Sequence, residues 1–240
     1  MNLSAPTIGF DRFIALDWAV AALRVRANLG TLEALQMELQ NAGLSLAARK
    51  KTRTVLNRLW LEPRADIAGF AERGVAIFQL AASDPTFPLT WGMAIACYPF
   101  FGRVAELVGR LSAIQGDCAS AEVHRRMSEA YGEREGTYRM TNMVLQSQAS
   151  WGAIERIANG KRFIRLAPTK IDNDDLTAWL IEAAVRHVGK PVPMPSIRSL
   201  PVLFPFDLTR PLAYVLPNSP NLSIRSEGPS SQFVALRSSH

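Results

Sequence analysis

Apolar residues recur at three- and four-residue steps through the first half of the chain, the spacing of a helix with one face buried. From Phe10 to Asn28 the set Phe13, Ile14, Leu16, Trp18, Val20, Leu23 and Val25 predicts a first helix, closed by Gly30. Thr31 is placed to cap a second helix with Leu32, Leu35, Met37 and Leu39 on its inner face and Gly43 as its stop. Ser45 caps a third, whose apolar face is Val55, Leu56, Leu59 and Trp60 and which Pro63 ends. A fourth runs from about Ala65 to Ala82. The run PLTWGMAIACYPFF, Pro88 to Phe101, follows, and Pro99 divides it from the helix VAELVGRLSAI. At 14 residues this run is shorter than the roughly 20 a membrane span needs, so it predicts a buried core segment.

The second half changes rhythm. AEVHRRMSEAYGEREG predicts a helix with Val123, Met127 and Tyr131 on one side, and TYRMTNMVLQSQASWG a second with Met140, Met143, Val144 and Trp151 turned to the core. AIERIANGKRFIRLAP alternates around Asn159-Gly160, a strong hairpin signal because both residues tolerate positive φ. Another helix, Asp172 to Val188, begins with acidic residues that suit the positive end of its dipole. Beyond Gly189 the chain is Pro-rich, with short alternating pieces such as LAYVL and SQFVAL that predict extended segments draped on the domain. The pattern as a whole predicts a mainly α protein: a helical bundle over 1–116, a winged-helix-like second half with a small β-hairpin over 117–190, and a Pro-rich extended tail over 191–240.

Charge adds a direction. With 27 basic and 21 acidic residues the net charge is +6, a moderate excess that suits an anionic partner. ARKKTRTVLNR carries Arg49, Lys50, Lys51, Arg53 and Arg58 with no acid among them, enough to follow a phosphate strand. In the winged-helix reading the second helix presents Thr137, Arg139, Asn142, Gln146 and Gln148, side-chain types that pair with guanine or adenine edges. Arg134 precedes that helix, and Arg156, Lys161, Arg162 and Arg165 lie on the hairpin, where a basic wing meets phosphates. The bland counterpart is plain: amphipathic helices have polar faces, and strand edges use Lys and Arg to discourage pairing. His124 is expected on a helix surface, and Trp151 to lock the second helix onto the wing.

Chemistry-bearing motifs are sparse. Cys97 and Cys118 have no Cys-x-x-Cys partner, and His124, His187 and His240 fall in no metal spacing. There is no Gly-x-Ser-x-Gly, no phosphate-binding loop and no His-Glu-x-x-His, so a noncatalytic protein without cofactor is expected. Asp172, Asp174 and Asp175 lack the rest of a calcium loop and read as helix capping. MNLSAPTIGFDRF has no secretory pattern, and a cytoplasmic protein with no membrane association is expected.

A basic N-terminal helix, an apolar YPFF segment leading into a helix, then AEVHRRMSEAYGEREGTYRMTNMVLQSQASWGAIERI and a closing DLTAWLIEAA resemble the BrxA family of BREX bacteriophage-defence systems. The resemblance spans roughly residues 10 to 190 and rests on element order and apolar pattern. It implies a compact helical protein similar to the antitermination factor NusB. It also implies binding of double-stranded DNA through positive surface, a place among other phage-defence proteins, and no catalysis. On this chain the implied surface falls on Arg49, Lys50, Lys51, Arg53, Arg139, Lys161 and Arg162. The rival expectation is a scaffold subunit whose helices and Pro-rich tail dock other proteins without touching DNA.

Overall fold

Among the described residues, capping side chains set the starts of three helices. The computed structural model describes residues 9–133, 135–226 and 231–237. The first helix, α1 (Leu16–Arg26), starts later than its apolar pattern predicts. Phe10 and Ile14 are fully buried, but in an extended lead-in. Ile14 N–H donates to Ser147 Oγ (2.9 Å), and its carbonyl accepts from Trp151 Nε1–H (2.8 Å). A segment tied down by a part of the chain distant in sequence needs no helical partner for its backbone. Trp151 thus locks onto this lead-in and the aromatic rings of Phe10, Trp91 and Phe101.

Helix α2 (Leu32–Asn41) begins at Thr31, whose Oγ1 accepts from Ala34 N–H, and α3 (Leu46–Leu56) at Ser45, whose Oγ accepts from Ala48 N–H. The inner face of α2 is narrower than expected: Leu35 and Leu39, one turn apart, are buried, while Leu32 and Met37 are exposed. From α3 the chain enters a π-helical turn, Asn57–Leu61, that buries Leu59 and Trp60. Next come α4 (Ala65–Leu80), α5 (Thr86–Cys97) and α6 (Pro99–Gln115). The long apolar run is thus two helices. Tyr98 breaks them, its hydroxyl donating to Val55 C=O, and Pro99 opens α6, where a missing N–H costs nothing.

The following block is a helix pair inserted into a small sheet. Strand β1 (Asp117–Ala119) leads to α7 (Ser120–Tyr131) and α8 (Glu135–Ser150), then to β2 (Ile154–Ile157) and β3 (Arg162–Arg165). The sheet order is β1-β3-β2, all antiparallel, with Cys118 opposite Phe163 and Arg156 opposite Phe163 on the other side. The expected hairpin forms, but its loop is wider than an Asn-Gly turn: Ala158, Asn159 and Gly160 all have positive φ.

After β4 (Thr169–Ile171), helix α9 (Asp174–Val188) is capped by Asn173, whose Oδ1 accepts from Leu176 N–H at 2.8 Å. The rest is β5 (Val192–Pro193), two 3-10 turns over 194–199 and 201–203, β6 (Phe206–Leu208), α10 (Leu212–Asn218), β7 (Leu222–Ser226) and β8 (Gln232–Leu236). Strands β4 and β6 pair in parallel, and the third sheet runs β5-β8-β7. LAYVL, expected to be extended, is helical in α10. The Pro-rich stretch also reaches the interior: Ile197, Val202, Leu216 and Val234 join the cluster that holds Phe10, Trp91 and Val144. Trp91 Nε1–H donates to Val202 C=O (2.9 Å). One apolar cluster thus draws on all three stretches that the pattern separates.

Candidate nucleic-acid interface

Helices α7 and α8 pack face to face and divide the residues of α8 sharply. Met140, Val144 and Leu145 are buried. So, against expectation, are Thr137 and Gln148, both completely. Burial on the packed side of α8 means that neither is presented to a ligand. Outward on α8 are Tyr138 and Arg139, exposed, with Asn142 and Gln146 half-exposed; Met143, expected in the core, is half-exposed as well. Arg134 lies outside the described residues.

His124 of α7 is buried as well, not on the surface as expected. Its imidazole lies parallel to the Tyr138 ring at 3.9 Å, and its Nε2 is 3.2 Å from Asn142 Oδ1. Burial pushes its pKa below the ordinary histidine value, partly offset by Asn142, so the ring is held neutral. Its Nδ1 is buried with no hydrogen-bond partner among the described residues.

The hairpin separates its four cations into two kinds. Arg156 and Lys161 are exposed, and the Arg156 guanidinium lies across Gly160, where an added Cβ would stand 2.5 Å from Nη2. Arg162 and Arg165, expected to meet DNA, are both engaged by neighbouring groups of the protein, Arg162 in a surface ion pair and Arg165 in a partly buried site. Arg162 forms a two-pronged pair with Asp117, which holds that carboxyl below the usual carboxylate range. Arg165 donates to Gly109 C=O and Ser112 Oγ on α6 and lies 5.3 Å from the centre of the Phe204 ring. The reason is β1: as the outer neighbour of β3 it places Asp117 and the end of α6 beside these side chains.

On α3, Lys50 and Lys51 are exposed and Arg49 and Arg53 half-exposed, and Arg58 is exposed on the π-helical turn that follows. None of the five, nor Arg139, Arg156 or Lys161, is in an ion pair among the described residues. Arg125 and Arg126 of α7, by contrast, both meet Glu122. The main packing partners of α3 are α1 and the π-helical turn, so it forms a basic surface separate in its packing from α8 and the hairpin.

No protein-family model, curated protein or solved structure matches this chain.

Glu182 is buried and held by two hydrogen bonds from Arg73 (2.7 and 2.8 Å) and by Arg186. It lines a cleft of about 530 Å³ between α4, α9 and α10, which the exposed Leu80 and Tyr214 border. Burial pushes the Cys97 thiol up to about 12 and the Cys118 thiol up to about 11, so neither offers a thiolate near neutral pH. Among the described residues no group of three His, Cys, Asp or Glu side chains is arranged to hold a metal ion, and no helix is long and apolar enough to cross a membrane.

Proposed function

We propose that this chain is a noncatalytic double-stranded-DNA-binding protein whose α6 to β3 block is a winged helix, with α8 as the helix that enters the major groove. The supporting observation is connectivity: helix α6, strand β1, helices α7 and α8, then hairpin β2-β3, with the strands ordered β1-β3-β2. That arrangement sets α8 beside a hairpin, so one helix and one loop face the same duplex. The outward side chains suit the task. Arg139, Asn142 and Gln146 are donors and acceptors for base edges, and Arg156 and Lys161 are cations for the flanking phosphates. Arg49, Lys50, Lys51, Arg53 and Arg58 supply a second phosphate-binding surface on and just after α3. The resemblance to the BrxA family adds the setting, a phage-defence assembly with other protein components.

The test is binding to a random-sequence duplex by fluorescence anisotropy as salt is raised from about 50 to 300 mM. Affinity is expected to fall steeply. Charge reversal at Arg156 and Lys161 should flatten the logarithmic salt slope by about 0.9 for each phosphate that is no longer neutralised. Reversal at Lys50, Lys51 and Arg53 should act alike on all sequences. Absence of binding at the lowest salt refutes the proposal. The scaffold reading has one observation of its own, the cleft bordered by Leu80 and Tyr214, and it would then take precedence.

A further inference from the structure

Among the outward residues of α8, two are fixed in place by a third that is buried. Tyr138 and Asn142 stand one helical turn apart and therefore side by side on one face. His124 reaches both from beneath, stacking on the Tyr138 ring at 3.9 Å with only 18° between the planes and approaching Asn142 Oδ1 through Nε2 at 3.2 Å. Tyr138 remains 56% exposed, so a large ring is held rigid with its outer side in water. The arrangement has a cost to stability, because His124 Nδ1 is buried without a partner among the described residues. Aliphatic packing between α7 and α8 would avoid that cost; a histidine is justified there if the orientation of its two neighbours matters.

The chemistry offered outward is specific. With His124 neutral and donating from Nε2–H, Asn142 Oδ1 is engaged and its Nδ2 hydrogens are the groups left to face a partner. That departs from the two-pronged adenine contact, which needs Oδ1 and Nδ2 together. Beside these donors lies the apolar outer side of the Tyr138 ring. A donor next to an apolar surface complements thymine, which alone among the bases shows an acceptor, O4, next to a methyl group in the major groove. Resting on the DNA-binding reading above, we infer that Tyr138 and Asn142 together read a thymine. Tyr138 packs on the C5 methyl, Asn142 donates to O4, and His124 is the positioning residue for both.

The test begins by enriching preferred duplexes from a randomised library with the full chain, then varies each thymine of the enriched site. Replacing the read thymine by uracil removes only the methyl and should weaken wild-type binding about threefold to fourfold, the worth of one methyl group. Cytosine, which presents a donor in place of O4, should weaken it roughly tenfold or more. Tyr138→Ala should bind the thymine and uracil duplexes equally, while Asn142→Ala should keep the methyl preference and lose most discrimination against 5-methylcytosine. His124→Phe preserves the stack but not the donor, so it should behave like Asn142→Ala, and His124→Gln, which restores an N–H, should recover the discrimination. Tyr138 is exposed and Asn142 half-exposed, so the result stands on these two variants even if the His124 variants fold poorly. A wild-type protein that binds duplex DNA but enriches no thymine, or whose uracil sensitivity survives Tyr138→Ala, overturns this inference and leaves DNA binding intact. A wild-type protein that binds no duplex overturns both.

Discussion

Arg165 is engaged within the fold, unlike the outward cations of the proposed interface. Arg165→Met keeps the aliphatic stem and removes the guanidinium. With it go the donations to Gly109 C=O and Ser112 Oγ and the approach to the Phe204 ring. Hydrogen bonds from a charged donor contribute about 1.5 to 3 kcal/mol each, and the partial exposure of Arg165 puts both at the low end. The ring contact adds about 0.5 kcal/mol at such a site. Ser112 Oγ still donates to Val108 C=O, so that hydroxyl is not stranded. The expected destabilisation is about 3.5 kcal/mol, which for a chain of this size lowers the melting temperature by roughly 7 to 14 °C. Circular dichroism melts measure it, with anisotropy on a duplex measured in parallel below the transition. Arg165→Lys should also melt early, because it lacks the planar fork whose Nε and Nη2 reach the two acceptors, yet should leave the proposed DNA binding unchanged. A melting temperature within about a degree of wild type, with DNA affinity reduced roughly tenfold, would refute this assignment and return Arg165 to the phosphate-contacting set.

Two further outcomes follow from packing and charge. Gly92→Ala would place a Cβ 2.2 Å from Cζ3 of Trp179, whose ring is stacked on Phe70 and whose Nε1–H donates to Phe70 C=O, so the ring has no free direction of retreat. Destabilisation of about 2 kcal/mol or more by chemical denaturation is expected, and no change would show that α5 and α9 separate easily. Glu106 is held down to about 2 by His187 first and by Arg103 and Arg110, against the opposing effect of burial. A carboxyl whose folded pKa is depressed stabilises above its unfolded value of 4.5, and that contribution disappears as pH falls through about 2. Glu106→Gln should therefore flatten the loss of stability between those two pH values, and an unchanged acid limb would exclude Glu106 as a source of it.

How legible a feature is in the sequence tracks how local its deciding interaction is. The caps Thr31 and Ser45 act within their own first turns, and the existence of the hairpin, though not the width of its loop, follows from the positive φ that Asn159 and Gly160 tolerate. Of the proposed interface, Arg139, Asn142, Gln146, Arg156 and Lys161 are legible by type and position alone, and they lie outward or half-outward. Tyr138 is not, because an aromatic on an amphipathic helix reads as one more core candidate. Its companion His124 looks solvent-facing from sequence because nothing local reveals that α8 lies over it. The i, i+4 spacing of Tyr138 and Asn142 is the one available hint.

From sequence alone follow the points where most helices begin and end, the shortness of the 88–101 run against a membrane-spanning helix, and the set of candidate cations. These depend on interactions across a few residues, which any chain with those residues makes. Only the assembled fold settles the rest. A three-residue strand such as β1 has no local signature and exists because β3 pairs with it. Once formed, that strand engages Arg162, and α6 beside it engages Arg165. The same dependence on distant partners draws the Pro-rich stretch into the core against Trp91 and puts Thr137 and Gln148 out of reach of any ligand. Side-chain type specifies what a residue is able to bind, but burial and prior engagement, set by packing across the whole chain, specify which residues remain available to do so.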